Sequence, residues 1–273
     1  MRFCCLLLVM AALASPALLA QDKPYILGVV PQYEVRKLHA IWRPILDHLQ
    51  QATGYAFELR GSPTIPEFER EFAEGKFDLA YMNPYHLVMA NDKAGYIPLV
   101  RDHGRQLQGV LVVKKDSGIG SPEQLQGKTV AFPAPNALGA SLQMRQELQD
   151  RFQVKINPLY VKTHDSVYLS VLMGKAAAGG GVQKTLNQQK PEYREHLQII
   201  HQTTPVPSHP LAVLPSVAAE AREKILQALL QLGETEAGRA LLAPVPIKQI
   251  GPAEIADYQP LRKLGLERFY QAY

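Results

Sequence analysis

Cysteine is nearly absent from this sequence, which contains only Cys4 and Cys5, both in its first apolar segment. If that segment is removed on export, the mature chain has no thiol. Disulfides, a thiolate nucleophile and a cysteine-rich zinc site are then excluded together. An excess of one charge sign is also missing, because 29 Lys and Arg stand against 25 Asp and Glu without runs of like charge. A net charge of +4 spread in this way does not indicate nucleic acid as a partner.

Long hydrophobic runs are confined to the N-terminus. The chain begins with a methionine and an arginine, followed by an apolar stretch at 3–13 and by small residues that end at Ala17 or Ala20. This layout is typical of a secretory signal peptide, which we place at residues 1–20. No later run reaches the roughly 18 apolar residues of a membrane-spanning helix. The sequence therefore predicts an exported, soluble mature chain, with an uncleaved membrane anchor as the alternative.

Familiar catalytic motifs are missing as well, since the chain has no G-x-S-x-G, no H-E-x-x-H, no P-loop and no dinucleotide fingerprint. The glycines at 179–181 lack the spacing and the lysine of a phosphate loop, so they indicate close backbone packing. An exported enzyme that uses His164 with Asp165 or Asp78 remains an alternative. However, His164 and Asp165 are neighbours on a predicted helix and do not face each other. We expect no catalytic residue, no metal site and no cofactor.

What is present is an alternation of short apolar runs with helix-period segments, in a chain that is 47% hydrophobic and 20% charged. This pattern predicts an α/β fold with a mostly parallel sheet. The predicted strands are 25–30, 55–59, 77–82, 96–100, 109–113, 129–132, 159–161, 176–181, 197–200 and 211–214. The predicted helices are 35–54, 65–75, 84–95, 121–127, 139–148 and 163–174. Everything after Ser216 has a helical pattern, so we expect the strands to stop there.

A C-terminal helical block on such a chain usually packs back onto the first lobe, which requires two crossings between lobes. We place the crossings near 101–109 and 201–209. The predicted first lobe then contains residues 21–105 and 206–273, and the predicted second lobe contains residues 106–205. The chain has no internal repeat or low-complexity linker, so two lobes with short crossings fit better than two independent domains.

Polar loops follow several predicted strands, namely Asn83 to Tyr85, Pro135 to Gly139, and Thr163 with His164. Ligands of α/β proteins bind at the carboxyl ends of strands. A helix that begins at Gly139 would also present unpaired backbone N–H groups and the positive end of its dipole to an anion. Together these loops predict a ligand cleft.

The order of five segments resembles the phosphate, phosphite and phosphonate substrate-binding proteins of ABC importers. The segments are "LGVVP" with "WRPILDHLQQATG", "FEREFAEGKFDLAYMNPYH", "KKDSGIGSPEQLQGKTVAFPAP", "THDSVYLSVLMGKAAAGGG" and "IIHQTTPVPSHPLAV". The resemblance covers nearly the whole mature chain. It implies a type 2 periplasmic-binding fold, with two α/β lobes and two hinge crossings, and a periplasmic location.

The resemblance also implies a binding site, which departs from the family pattern in this chain. The family's anion loop has the sequence D-P-x-S-T-S-G, whereas here Asn136 is followed by Ala137, Leu138 and Gly139. All three hydroxyls are therefore missing, and the backbone N–H groups of 138–140 remain as anion donors, which implies weaker or different selectivity. The family histidine is kept as His164, which can donate to an anion.

At the other end of the implied ligand, acids that hold an amine in aminoethylphosphonate binders are replaced by Gln183 or Lys184 and by His209. This favours a ligand without a cationic tail, such as a small oxyanion, although two histidines would also permit a metal-linked ligand. His209 is either a cleft residue or an exposed loop residue. The ten candidate ligand-binding residues are Tyr33, Thr64, Tyr81, Asn83, Asn136, Ala137, Leu138, Gly139, His164 and His209.

The resulting functional prediction is a monomeric periplasmic solute-binding protein. Its two lobes close on a small anionic ligand, because the ligand contacts both lobes only in the closed state. The closed form then delivers the ligand to an inner-membrane ABC permease. One alternative is a sensing protein that docks on a membrane sensor kinase or cyclase. Others are the exported enzyme using His164 and a structural or adhesion module whose cleft has decayed.

Overall fold

The computed structural model describes residues 23–245 and 247–272, so the predicted leader lies outside the described part of the chain. Its strands are β1 (Tyr25–Val29), β2 (Phe57–Gly61), β3 (Leu79–Tyr81), β4 (Ile97–Asp102), β5 (Gly109–Lys114), β6 (Thr129–Phe132), β7 (Asn157–Tyr160), β8 (Ala178–Val182), β9 (Leu197–Gln202), β10 (Leu211–Val213) and β11 (Ile250–Pro252). Its α-helices are α1 (Val35–Thr53), α2 (Ile65–Ala73), α3 (Pro84–Ala94), α4 (Gln143–Asp150), α5 (His164–Leu172), α6 (Gln183–Asn187), α7 (Pro191–Arg194), α8 (Ala219–Glu234) and α9 (Glu236–Leu242). Short 3₁₀ helices occupy Pro122–Leu125, Ile255–Lys263 and Leu266–Arg268, and a π-helical turn at Leu138–Leu142 precedes α4.

The strands form two separate sheets. The first sheet has the order β11-β4-β10-β3-β1-β2, and the second has the order β7-β6-β8-β5-β9. Each sheet contains parallel pairs, β2-β1-β3 in the first and β7-β6-β8 in the second. Each also contains antiparallel pairs around β10 and β5. The predicted α/β class is thus confirmed, whereas the expectation of a mostly parallel sheet is wrong, because both sheets are mixed.

The chain passes between the sheets twice. It leaves β4 at Asp102 and enters β5 at Gly109, and it leaves β9 at Gln202 and enters β10 at Leu211. The two connecting segments run antiparallel and are tied by a reciprocal pair of backbone hydrogen bonds between Leu107 and Val206, at 2.8 and 3.0 Å. A single pair of such bonds is a short link around which two bodies can rotate.

Hydrophobic periodicity explains how the helices cover the sheets. In α1 the buried stripe recurs every three or four residues, as on one face of a helix. The stripe comprises Leu38, Trp42, Ile45, Leu46 and Leu49. The helix ends where Gly54 adopts the left-handed conformation at φ 77°, as the sequence predicts. α8 from the C-terminal part of the chain packs against α1, which returns the chain to the first sheet.

The expectation that strands stop after residue 214 is wrong. β11 is an additional edge strand of the first sheet and pairs antiparallel with β4. Three residues are too few to show a two-residue periodicity, and Pro252 at the strand's end is tolerated only because the strand lies at an edge. The second strand is also displaced by two residues from its predicted position.

No helix in residues 23–245 or 247–272 is long and apolar enough to cross a membrane.

Candidate functional site

Two connected cavities lie between the sheets. The loop cavity, of about 30 Å³, is bounded by Asn83, by the turn at 137–140 and by His164. The basic cavity, of about 250 Å³, is bounded by Arg105 and Lys184 among other polar residues. Four residues line both cavities, so the two form one cleft: Gln32, Leu107, Val182 and His209.

The loop cavity brings together six of the ten predicted site residues, namely Asn83, Ala137, Leu138, Gly139, His164 and His209. Its π-helical turn begins after Ala137, whose carbonyl accepts hydrogen bonds from the backbone N–H of Ser141 and Leu142 at 2.8 and 3.1 Å. The N–H groups of 138–140 therefore precede the first intrahelical bonds, as at any helix start. The cavity has room for only about two water molecules.

The turn is held in place by glycines of the second sheet. A Cβ built on Gly109 would lie 2.0 Å from the carbonyl oxygen of Gly139, and one built on Gly180 would lie 2.0 Å from that of Ala140. Neither side chain could be accommodated without displacing backbone. The interpretation of 179–181 as close packing is thus confirmed, and these glycines place the turn at the cleft wall.

His164 is the first residue of α5, and Thr163 caps this helix by accepting a hydrogen bond from the N–H of Ser166 at 3.1 Å. The His164 side chain is buried, and its Nδ1 has no hydrogen-bond partner. Burial lowers the pKa of His164 to about 4, in spite of the nearby Asp165, which opposes the shift. The imidazole is therefore neutral at pH 7 and contributes a hydrogen-bonding atom, not a positive charge.

The buried neutral state of His164 predicts a dependence of stability on pH. Between pH 6.5 and 4 the unfolded chain binds a proton that the folded chain does not, so the free energy of unfolding falls as the pH falls. His164→Gln should remove up to one proton from this dependence, or about 1.4 kcal/mol per pH unit. Urea unfolding at several pH values would measure it, with His196→Gln as the exposed control. Equal slopes in wild type and His164→Gln would contradict the prediction.

Aromatic rings pack beside the cleft, where His209 lines both cavities and Tyr81 lines the basic cavity. The ring of His209 lies 5.5 Å from that of Tyr81 at an interplanar angle of 25°, and the Tyr81 ring lies 4.8 Å from that of Trp42. The Gln32 amide donates a hydrogen bond to His209 Nε2 at 3.0 Å, which requires this nitrogen to be unprotonated. Burial, together with nearby cations, lowers the pKa of His209 well below its usual range. His209 is thus a cleft residue.

The basic cavity contains two cations and one carboxylate. Lys184, the second residue of α6, donates a hydrogen bond to the carbonyl of Val245 at 3.0 Å. Arg105 pairs with Asp102 through Nε at 2.9 Å, while its Nη2 is buried without a partner. Asp102 also accepts hydrogen bonds from the N–H of Gly104 and Gln249, at 2.9 and 2.8 Å. These hydrogen bonds outweigh the effect of burial and lower the pKa of Asp102, which is ionised.

Lys184 has no acidic partner among the described residues. Burial, together with the charges of Arg105 and Lys37, lowers its pKa to about 7. Its ammonium group also lies 5.3 Å from the centre of the Tyr33 ring. The cavity thus holds a lysine in an environment that disfavours its charge unless an anion is added.

The other predicted residues lie elsewhere. Asn136 is buried, and its side chain bonds to Glu69 and to the backbone of Gln271. It therefore links the loop after β6 to α2 and to the C-terminal segment, and it does not line either cavity. Thr64 caps α2 by accepting a hydrogen bond from the N–H of Glu67. Tyr33 and Thr64 line a wider cavity of about 360 Å³ at the mouth of the cleft. The Tyr33 hydroxyl donates a hydrogen bond to Gln188.

The polar cleft residues outside the ten candidates include Gln32, Arg105 and Lys184. Lys184 has a sequence signal, because the family resemblance indicates Gln183 or Lys184 as the replacement for an amine-binding acid. Arg105 carries no such sequence signal, since it is one charged residue in a crossing segment.

The carboxylates of the alternative enzyme hypothesis have other partners. Asp165 is exposed and accepts a hydrogen bond from Gln189, and Asp78 accepts one from the N–H of Ile26. Among the residues that the structure describes, no group of three His, Cys, Asp or Glu side chains could hold a metal ion.

The fold matches solved periplasmic binding proteins. A binding protein component of an ABC phosphonate transporter from Pseudomonas aeruginosa shares 19% identity at a TM-score of 0.78, over 91% of this chain and 88% of that one. PhnD1 from Prochlorococcus marinus, solved with methylphosphonate, shares 15% identity at 0.82, over 90% and 98%. A Xanthomonas citri protein solved with ATP shares 18% identity at 0.75, over 90% and 97%. The predicted type 2 periplasmic-binding fold is therefore confirmed.

A family model decides the relationship that these low identities leave open. The model of the periplasmic substrate-binding protein of phosphonate ABC transporters matches residues 27–258, which is most of the chain. Members of this family bind substrates and are not enzymes. With its two sheets, two crossings and intervening cleft, the chain belongs to the family of periplasmic phosphonate-binding proteins of ABC transporters.

Proposed function

We propose that this protein closes two lobes around a small oxyanion in the cleft and delivers it to an inner-membrane ABC permease. The first lobe would contain the first sheet, and the second lobe would contain residues 106–205. The observation that carries the proposal is a cleft lined from both sheets, beside crossing segments that are joined at Leu107 and Val206. PhnD1, which has the same fold, was solved with methylphosphonate, an oxyanion of suitable size.

Contacts across the cleft support closure of the lobes. Lys184 from α6 reaches the Val245 carbonyl beyond α9, and Asn83 donates to the carbonyl of Asn136 at 3.3 Å. Tyr33 of the first lobe reaches Gln188 of the second. A ligand that adds contacts to both lobes shifts the population toward this closed form by its differential affinity.

The test of this proposal is saturable binding that is coupled to closure. An oxyanion at about 100 times its Kd should stabilise the ligand-stripped protein by about 2.7 kcal/mol, which raises Tm by roughly 5–10 °C. The single tryptophan, Trp42, contacts the ring of Tyr81, which lines the basic cavity, so its fluorescence should change with the same midpoint. Trp42→Phe should keep the Tm shift and lose the optical signal.

A panel of phosphate, phosphite, alkylphosphonates, aminoethylphosphonate and sulfate would provide the ligands. If the folded protein showed neither a Tm shift nor a change in Trp42 fluorescence with any small molecule, the proposal would be wrong. A structural or adhesion module with a decayed cleft would then be favoured.

A sensing role is the second candidate. The observation in its favour is that the anion loop has Ala137, Leu138 and Gly139 in place of the hydroxyl residues of the family pattern. The partner distinguishes the two roles, because both use the same closed lobes. A permease and ATPase encoded beside this gene would support transport, whereas an adjacent sensor kinase or cyclase would support sensing.

A further inference from the structure

The two ends of the cleft differ in their ability to hold a negative charge. In the loop cavity the turn offers Ala137, Leu138, Gly139 and Ala140, which have no polar side-chain atoms, and His164 is neutral. Lys162 lines this cavity only from its exposed rim. The space is also small, at about 30 Å³. Apart from that rim lysine, this end therefore offers an anion only the backbone N–H groups of 138–140 and no cationic side chain, which suits an uncharged group better than a charged head.

The basic cavity has the opposite character. It is about eight times larger by volume, at about 250 Å³ against about 30 Å³, and it contains the Lys184 ammonium without an acidic partner. The buried Nη2 of Arg105 is likewise available. Side-chain amides also line this cavity: Gln32, Gln106, Gln108 and Gln183. A buried donor left without an acceptor costs free energy, so the Nη2 of Arg105 favours a bound acceptor.

The charge balance of this cavity fixes the charge of the ligand that would complement it. Lys184 and Arg105 each contribute one positive charge when protonated, and Asp102 contributes one negative charge, which leaves one positive charge. His209 is held neutral, and burial raises the pKa of the Tyr81 hydroxyl, so neither changes this balance at pH 7. An anion beside Lys184 favours its protonated form, and one negative charge on the ligand then neutralises the site.

We propose that the ligand is a small monoanionic acid whose charged head lies between Lys184 and Arg105 and whose uncharged end points into the loop cavity. The proposal rests on the proposed function, because it assumes a ligand in this cleft. It assigns the anion site to the opposite end of the cleft from the turn at 137–140. A carboxylate and a singly ionised phosphonate share the required chemistry.

Calorimetric titration of the mature protein at pH 6.5 tests this assignment with defined probes. Butyrate and benzoate represent carboxylates, methylphosphonate represents phosphonates, and butyramide and butylamine are the neutral and cationic counterparts of butyrate. We expect one of the acids to bind and the amide and amine to bind at least about 30-fold more weakly. Which acid binds distinguishes the carboxylate from the phosphonate.

Four variants locate the charged head. Lys184→Met should weaken binding by about 30-fold or more, and Lys184→Arg should restore part of the affinity because it keeps the charge. Lys162→Met changes the cation at the rim of the loop end and should weaken binding much less than Lys184→Met does. Lys175→Met, an exposed lysine outside both cavities, is the matched control and should change affinity less than about threefold. Near-ultraviolet circular dichroism would verify that each variant is folded.

The outcomes separate this inference from the proposed function. Loss of binding in Lys162→Met with retention in Lys184→Met would place the anion at the turn and overturn the inference, while the proposed function would stand. Binding of butylamine or butyramide in preference to the acids would also overturn the inference, and it would contradict the oxyanion ligand of the proposed function as well. If none of the acids bound, the inference would be wrong. The proposed function would then depend only on the wider panel of oxyanions described above.

Discussion

Replacing Gly180 with alanine is expected to destabilise the protein by about 3 kcal/mol or more, enough to leave much of it unfolded at 37 °C. An alanine Cβ would lie 2.0 Å from the carbonyl oxygen of Ala140 and 2.6 Å from the ring of Phe132. Both neighbours are buried, and the carbonyl belongs to backbone that is packed against β8 and β5. The clash therefore cannot be relieved by rotation of a flexible side chain.

The matched control is Gly120→Ala. Its added Cβ would meet only Gln124 Oε1 at 3.9 Å, and its backbone lies outside the left-handed region, so we expect a change of less than about 0.5 kcal/mol. Thermal unfolding followed by circular dichroism would measure both variants. A Gly180→Ala protein with the Tm of wild type would show that the turn at 138–142 does not pack on β8 as described.

Lys184→Met should have the opposite effect and stabilise the ligand-free protein. The folded-state pKa of Lys184 is about 7, well below its ordinary value of about 10.5. As the pH falls from 10.5 to 7 the unfolded chain gains a proton that the folded chain does not, so wild-type stability falls through this window. Linkage sets an upper limit of about 5 kcal/mol, and because Lys184 is only partly buried we expect about half of that at pH 7.

The groups that face Lys184 support this direction. Arg105 and Lys37 repel its charge, His209 is neutral, and the negative charge of Asp102 is shared by Arg105 and by backbone N–H groups. Urea unfolding of wild type and Lys184→Met at pH 7 and pH 10.5 would measure the difference. We expect the stabilisation to disappear at pH 10.5. A variant less stable than wild type at pH 7 would indicate that Lys184 has a structural role through its bond to Val245 and not a ligand-binding one.

Functional sites often contain groups that destabilise the ligand-free protein and that are stabilised when the ligand binds. Lys184 and Arg105 differ in this respect, because they have different partners in the ligand-free protein. Arg105 is paired with Asp102 in the ligand-free protein, whereas Lys184 has only a carbonyl partner. Of the two cations, Lys184 should therefore gain more from an added anion.

Much of the fold could be predicted because its signals are local. The helix stripe of α1, the left-handed glycines at 54 and 95 and the capping box at Ser121 depend on residues within one or two turns of each other. The capped turn at Ser121 is a 3₁₀ helix in the structure. β11 was not predicted, because a three-residue edge strand is specified by its pairing with β4 and has no periodic pattern of its own.

The candidate site also combines features that can be predicted from the sequence with features that depend on the tertiary structure. The sequence by itself determined that polar loops follow the strands, that the family hydroxyls are missing from 137–139, and that His164 begins a capped helix. Only the tertiary structure decided that Asn136 is used for packing, that His209 stacks on Tyr81 in the cleft, and that Arg105 and Lys184 share a cavity. Arg105 and Lys184 are 79 residues apart in the numbering and approach only when the two crossings bring the sheets together. Charge at a site depends on burial and on distance through space, and neither is encoded by residues that are neighbours in the chain.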